Sequence, residues 1–185
     1  MDNTQKLAFK SALKQFGLDL IAQRIAASRL AASQAQEAAN QEEKSSAGDK
    51  YETGRAMGHL QREMHARQQA EHEREHAALL RVRTDILHTH PLPGAFIQCH
   101  DIASERTGGS LSEGQLLDVS GKRVNFFGYP FPGIFIAAGL GKHSIDGQTI
   151  LFLSPAAPLA KTLLDKKTGD EFSFNGRTLR IEDLF

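Results

Sequence analysis

Apolar residues in the first part of the chain recur every three or four positions, which is the spacing of an amphipathic helix. Eight alanines follow between residues 22 and 39, and alanine has the highest intrinsic helix propensity. The chain therefore begins with a predicted long helix, over residues 4–44. The apolar positions that define it are Leu13, Phe16, Leu20, Ile21 and Ile25.

A second helical pattern begins after a short polar stretch. It starts at Met57, Leu60 and Met64, fades, and returns at Leu79 and Ile86. We predict a helix over residues 50–88, and both helices would be roughly 60 Å long at about 1.5 Å per residue. Helices joined by a short turn pack antiparallel, so we expect a coiled-coil hairpin with its tip near residues 45–53. A loose helical bundle or a coiled-coil dimer is the alternative.

Composition changes near residue 90. All six prolines and twelve of the sixteen glycines lie after residue 88. Because proline breaks helices and glycine weakens them, the first part of the chain can be mainly helical and the second cannot. We predict two domains, a helical hairpin over residues 1–90 and a second domain over residues 91–185.

The second domain carries signals of an antiparallel sheet. Asp146-Gly147 and Asn175-Gly176 each separate two strand-like runs, and such dipeptides suit two-residue hairpin turns. Residues 113–124 and 134–140 are further predicted strands. Pro158 can start a short helix that Gly169 ends. The expected fold class is α+β, with an antiparallel sheet and one helix against it.

Bulk composition narrows the function classes. Lys and Arg total 22 and Asp and Glu total 22, so no excess positive charge is present to hold nucleic acid without a partner. The single cysteine excludes an internal disulfide framework and suits a reducing compartment. The sequence has neither an apparent export signal nor an apolar run long enough for a membrane span. We expect a cytoplasmic protein without membrane contact.

Two carboxylates, Asp49 and Glu52, lie three residues apart at the predicted hairpin tip. The simplest interpretation is that they cap the second helix, as a capping box led by aspartate. Both charges also favour the positive end of the helix macrodipole.

Gly48, Asp49 and Glu52 form the pattern Gly-Asp-x-x-Glu at the predicted tip. The second domain carries the pattern Ser-Pro-x-x-Pro-Leu, then the predicted short helix, and then Gly-Asp-Glu. These positions are Ser154, Pro155, Pro158, Leu159, Gly169, Asp170 and Glu171. In this order, the two motifs resemble those of the coiled-coil tip and the C-terminal domain in the Gre family of transcript-cleavage factors. The resemblance covers the predicted hairpin and residues 134–182, and it implies an FKBP-like fold for the second domain.

The resemblance implies a specific function. Gre-type factors insert the coiled coil into the secondary channel of bacterial RNA polymerase, and the C-terminal domain docks at the channel mouth. The tip carboxylates, here Asp49 and Glu52, would hold a Mg²⁺ ion at the polymerase's own active site, where backtracked RNA is cleaved. The resemblance thus implies a monomeric accessory factor without an active site or cofactor of its own, which docks through Ser154, Pro155, Pro158 and Leu159.

The residues beside the tip depart from the family. Thr53-Gly54-Arg55-Ala56 replaces the usual Asn-Ala-Glu-Tyr, and Lys50 and Arg55 partly neutralise the carboxylates. Some relatives occupy the same channel and inhibit polymerase without cleavage, and this is the alternative function. Lys50, Arg55 and Arg62 would contact the RNA 3′ end or the acidic channel wall; the alternative for the two arginines is a solvated helix face.

A third motif indicates different chemistry. His72 to His76 reads HEREH, the H-E-x-x-H pattern of zinc metallohydrolases. On a helix, His72 and His76 lie on one face, and Glu73 could act as a base. The segment is rich in His, Glu and Arg, so a chance match is easy and no third ligand is evident. A zinc hydrolase is the distant alternative.

Overall fold

The structure, a computed structural model, describes residues 1–42, 50–102, 116–117, 123–124, 133–174 and 176–185. The chain is α+β. A long helix, α1 (Asn3–Glu42), is followed by a second, α2 (Lys50–Arg81), and then by a mixed six-stranded sheet. The chain divides into two compact units: Met1–Lys14 with Val82–Phe185, called the sheet unit, and Gln15–Arg81, called the helical unit.

This division differs from the boundary that composition indicates at residue 90. The first twelve residues of α1, Asn3 to Lys14, belong to the sheet unit. Contacts of their side chains explain why: the Phe9 ring packs edge-on against the Phe96 ring, with centroids 5.0 Å apart. Composition reports helix propensity, whereas the units are defined by which side chains pack together.

The start of α1 is fixed by a reciprocal pair of hydrogen bonds. The Gln5 amide donates to Oδ1 of Asp2 at 2.7 Å, and the Asp2 amide donates to Oε1 of Gln5 at 3.0 Å. This is a capping box, which satisfies two amides that the first helical turn leaves unpaired. The helix therefore begins at Asn3, one residue before the predicted start.

The second helix ends seven residues earlier than predicted, at Arg81 instead of residue 88. The prediction was wrong because it extended the apolar periodicity through Val82 to Ile86. The backbone carbonyls of Val82 and Ile86 instead accept hydrogen bonds from the side chains of Lys14 (2.8 Å) and Lys10 (2.6 Å). These partners lie far away in the sequence, and no local pattern in α2 indicates them.

The main sheet has the strand order β5-β6-β4-β1-β8-β7, and a separate pair joins β2 to β3. The strands are β1 (Phe96–Asp101), β2 (Leu116–Leu117), β3 (Arg123–Val124), β4 (Gly133–Ile136), β5 (Gly141–Ile145), β6 (Gln148–Leu153), β7 (Glu171–Phe174) and β8 (Arg177–Leu184). Strand β1 lies in the middle of the sheet and was not predicted from the sequence. Within the predicted strand over residues 113–124, the structure describes residues 116–117 and 123–124, which form β2 and β3.

One strand pair corrects the expectation of a purely antiparallel sheet. Strand β4 pairs with β6 in parallel, with Ile134 opposite Leu151 and Phe135 opposite Phe152. The intervening β5 forms a hairpin with β6 and lies at the sheet edge. After β4 the chain therefore continues to the edge strand β5 and turns back into β6. Strand β6 lies between β5 and β4 and runs in the same direction as β4, so the sheet is mixed.

Both predicted hairpins are confirmed. Ile145 and Gln148 face each other across the turn between β5 and β6, and Asp146 and Gly147 have φ values of 49° and 75°. Two positive φ values are typical of a type I′ turn, whose twist matches that of the paired strands. Strands β7 and β8 are likewise joined by two residues, because Phe174 pairs with Arg177.

The short helix α3 (Pro158–Leu163) begins at Pro158 as predicted, with proline at its first position. It ends at Leu163, before Gly169, so the predicted end was wrong. The fully buried side chain of Leu163 joins a core of residues from four strands. The members from the strands are Ile97, Cys99, Ile134, Ile136, Phe172, Leu179, Ile181 and Leu184. This core holds α3 against one face of the sheet.

Candidate functional site

The tip motif lies between the two long helices in the sequence. Asp49 falls outside the described residues, and so do the side chains of Lys50, Glu52 and Arg55. The backbone of α2 begins at Lys50, so Glu52 is its third residue. A carboxylate in the first turn of a helix is favoured by the macrodipole. Arg62 lies further along α2 and its side chain is exposed.

Three apolar side chains of α2 are exposed to solvent. Met57, Leu60 and Met64 follow one another at helical spacing and are 53%, 59% and 50% exposed. The same pattern led us to predict a helix there, and the helix is present. Other large apolar side chains of the helical unit are fully buried, namely Ile21 and Leu79. The pattern therefore predicted the helix but not which of its residues are buried.

The HEREH segment lies on α2, with both histidines half-buried. Nδ1 of His72 is 3.4 Å from Oε2 of Glu75. Glu73, the base in the zinc interpretation, accepts hydrogen bonds from Arg29 at 3.0 Å and Gln69 at 2.8 Å. These bonds lower the pKa of the Glu73 carboxyl, first through Gln69 and then through Arg29. A carboxylate held in this way is a weak proton acceptor.

Within the described part of the chain, no group of three or more His, Cys, Asp or Glu side chains is arranged to hold a metal ion. None of the described helices has the length and apolar character needed to cross a membrane. The zinc interpretation of HEREH thus gains no third ligand among these residues. The side chains of Asp49 and Glu52 lie outside the described part of the chain.

The Ser-Pro-x-x-Pro-Leu motif forms the connection from β6 to α3. The Ala157 amide donates to the Ser154 carbonyl at 3.0 Å, and the Ala156 amide donates to Oγ of Ser154 at 3.3 Å. Pro155 occupies the second position of this turn, where its fixed φ is favourable. Pro155 and Pro158 are exposed, whereas Leu159 packs against the core. The motif therefore presents two prolines to solvent on a rigid turn.

The Gly-Asp-Glu motif fixes the entry to β7. Gly169 has a φ of +94°, which favours glycine. Oδ2 of Asp170 accepts a hydrogen bond from the Lys167 amide at 2.8 Å, and Glu171 pairs with Arg180 across the strands at 3.0 Å. These contacts are all internal, so the motif is explained by the fold without any ligand.

A row of lysines on α1 was not predicted from the sequence. Lys6, Lys10 and Lys14 are spaced four residues apart, so they lie along one face of the helix. Lys6 forms an ion pair with Asp183 at 2.6 Å and lies over the Phe185 ring, 4.7 Å from its centroid. Lys10 and Lys14 donate to carbonyls of the segment after α2. The four-residue spacing of these lysines is visible in the sequence and could have indicated that they lie on one face of the helix.

Two titratable side chains are buried where the lysine row meets the segment after α2, and these are Lys10 and His88. Lys10 is fully buried and His88 is 8% exposed. Burial lowers the pKa of Lys10 to about 8, although Asp85 opposes this. The pKa of His88 is also lowered, first by burial and then by the charge of Lys10.

Comparison with models of protein families, with curated protein sequences and with solved structures gave no match to this chain.

Proposed function

We propose that this chain is an accessory factor of RNA polymerase that resembles the Gre type. In this proposal, α1 and α2 form an antiparallel coiled coil that enters the secondary channel. The two carboxylates of the tip motif, Asp49 and Glu52, reach the catalytic centre of polymerase and stimulate cleavage of backtracked RNA. The sheet unit, FKBP-like in this proposal, docks outside the channel.

The observation that carries the proposal is the order of elements around the two motifs. A helix of 40 residues and a helix of 32 residues flank the tip motif. The second motif lies on the turn that starts α3 beside a six-stranded sheet. The two helices are linked by an ion pair between Arg29 and Glu73 at 3.0 Å. An antiparallel coiled coil brings such distant residues together, although an exposed pair adds little stability.

The chemistry of the tip explains the need for a partner. Mg²⁺ is a hard cation that prefers oxygen ligands and near-octahedral geometry. Asp49 and Glu52 provide carboxylate oxygens but too few to complete such a site, so polymerase must supply the other ligands. The bound ion would activate water and stabilise the charge on the cleaved phosphate. The role of this chain is to carry two carboxylates to that place and hold them there.

The test is RNA cleavage in an artificially backtracked elongation complex. Asp49→Asn and Glu52→Gln preserve helix capping, because asparagine and glutamine serve at these positions, but they remove anionic Mg²⁺ ligands. We expect each variant to lose cleavage stimulation while its melting temperature stays unchanged. Glu63→Gln is the matched control, since it removes the same charge from an exposed position on α2. Unchanged cleavage by the tip variants would leave capping as their only role.

The charges beside the tip favour a second candidate function. Lys50 and Arg55 lie within three residues of the carboxylates, and nearby cations weaken metal binding by an anionic site. An inhibitory channel protein would bind the same polymerase complex, slow RNA synthesis and release no shortened RNA. The same elongation complex therefore separates the two functions, because cleaved RNA appears only if the factor stimulates cleavage.

A further inference from the structure

The row of lysines on α1 includes one group in an unfavourable environment. The Lys10 side chain is fully buried, and its Nζ donates to the Ile86 carbonyl at 2.6 Å. A buried ammonium loses hydration, and one carbonyl replaces only part of it. Burial lowers the pKa of Lys10 to about 8, so at neutral pH the side chain still carries a positive charge next to the segment that follows α2.

His88 lies in the same segment and is also buried. Its ring is hydrogen-bonded to the Arg83 backbone, while its Nε2 has no hydrogen-bond partner in the described part of the chain. Gly94 lies close to this nitrogen, because a Cβ added to Gly94 would be 3.3 Å from Nε2 and 2.1 Å from the Arg83 carbonyl oxygen. A second proton on the ring would be a buried donor without an acceptor.

The charges around His88 oppose that second proton. Lys10 on α1 and Arg83 in the connecting segment are positive, and among the described residues Asp85 is the negative group that acts on the ring. Both oxygens of Asp85 are engaged by Arg83, at 3.1 and 2.8 Å. Protonation of His88 would therefore place a third positive charge near two others, on a ring that is only 8% exposed.

We propose that His88 and Lys10 form an acid-sensitive joint, in which protonation of His88 releases residues 1–14 from residues 82–94. Separation of these two segments would remove the opposing charge of Lys10 from the ring and let water reach it. The joint lies wholly in the sheet unit and is independent of the proposed polymerase function.

The direction of the pH effect follows from the lowered pKa of His88. A group whose pKa is lower in the closed joint binds fewer protons there than in the open form. The closed form is therefore fully favoured above the ordinary histidine pKa of about 6.5, and it weakens as the pH falls below that value. Lys10, with its pKa at about 8, stays charged throughout this range and does not offset the effect.

Hydrogen exchange of the backbone amides at pH 7 and pH 5 tests the joint. We expect the protection factors of residues 6–14 to fall by about tenfold on acidification. Those of β8 should stay constant, because β8 is paired on both sides in the sheet. His88→Gln should remove most of the loss. His90→Gln should behave as the parent, since His90 is exposed only two positions away.

Two results would overturn the proposal: an equal loss of protection in His88→Gln, or a loss in β8 as large as that in residues 6–14. If His88→Gln does not fold, Lys10→Met provides the second measurement. It removes the positive charge that opposes protonation of His88, so its loss of protection between pH 7 and pH 5 should be smaller than that of the parent. A loss equal to that of the parent would again contradict the joint.

Discussion

Cys99 lies on the central strand β1 and is 2% exposed. Burial raises the pKa of its thiol to about 12, and the charge of Glu182 adds to this effect. Only the thiolate is a strong nucleophile. The residue is thus part of the core and has the properties of a small apolar side chain rather than those of a redox centre.

We predict that the Cys99 thiol resists alkylation in the folded protein. A pKa raised from about 9 to about 12 lowers the thiolate fraction at pH 8 by roughly 10³-fold, and burial adds a steric barrier. Iodoacetamide labelling followed by mass spectrometry should show little reaction in buffer and complete reaction in 6–8 M urea, roughly the range that unfolds a domain of this size. Rapid labelling in buffer would mean that β1 opens frequently.

At the residue scale, the sequence predicted what a side chain could do chemically better than it predicted which groups surround that side chain. Glu73 matched the base of a zinc motif, but only the structure reveals that Arg29 and Gln69 bind its carboxylate. Similarly, Lys10 is one lysine among many in the sequence, and the carbonyl that it binds belongs to Ile86, 76 positions away. Contacts over such separations leave no local signal.

At the element scale, the accuracy of the predictions depended on how local each cause is. The Asp146-Gly147 hairpin was predicted correctly because the turn residues themselves determine a type I′ turn. The start of α3 at Pro158 was predicted for the same kind of reason. The end of α2 and the parallel pairing of β4 with β6 depend on partners distant in the sequence, and both were among the errors.

Gly94, two residues before β1, occupies a position that leaves no room for a side chain. We predict that Gly94→Ala destabilises the sheet unit by several kcal/mol, because the new Cβ would lie 2.1 Å from the Arg83 carbonyl oxygen and φ is +94°. Gly147→Ala is the matched control. It also has a positive φ, 75°, but its Cβ would meet nothing within 4 Å.

The free energy of unfolding of both variants can be measured in urea. The difference between the two losses gives the cost of the clash between the new Cβ and the Arg83 carbonyl oxygen. Gly147→Ala should cost only about 1–2 kcal/mol, the penalty for a left-handed residue with a side chain. Equal losses would indicate that the segment carrying the Arg83 carbonyl moves aside at little cost.

At the scale of the whole molecule, the exposed prolines test the proposed docking. Pro155 lies on a rigid turn and is exposed. We expect Pro155→Asp to weaken binding to RNA polymerase by about tenfold, or ~1.4 kcal/mol, with the melting temperature nearly unchanged. Pro93→Asp is the control, because Pro93 is also exposed but lies outside the motif. Equal binding by both variants would place the docking surface elsewhere.

The position of β8 between β1 and β7 has a consequence for how the protein is made. Strand β1 lacks one of its two neighbours until residues 177–184 have left the ribosome. Lys6, near the start of the chain, also waits for Asp183, its partner in the ion pair. We therefore expect the helices to form during translation and the sheet unit to close only afterwards. Until then, the apolar strands β1, β4 and β6 are the part of the nascent chain that most needs protection by chaperones.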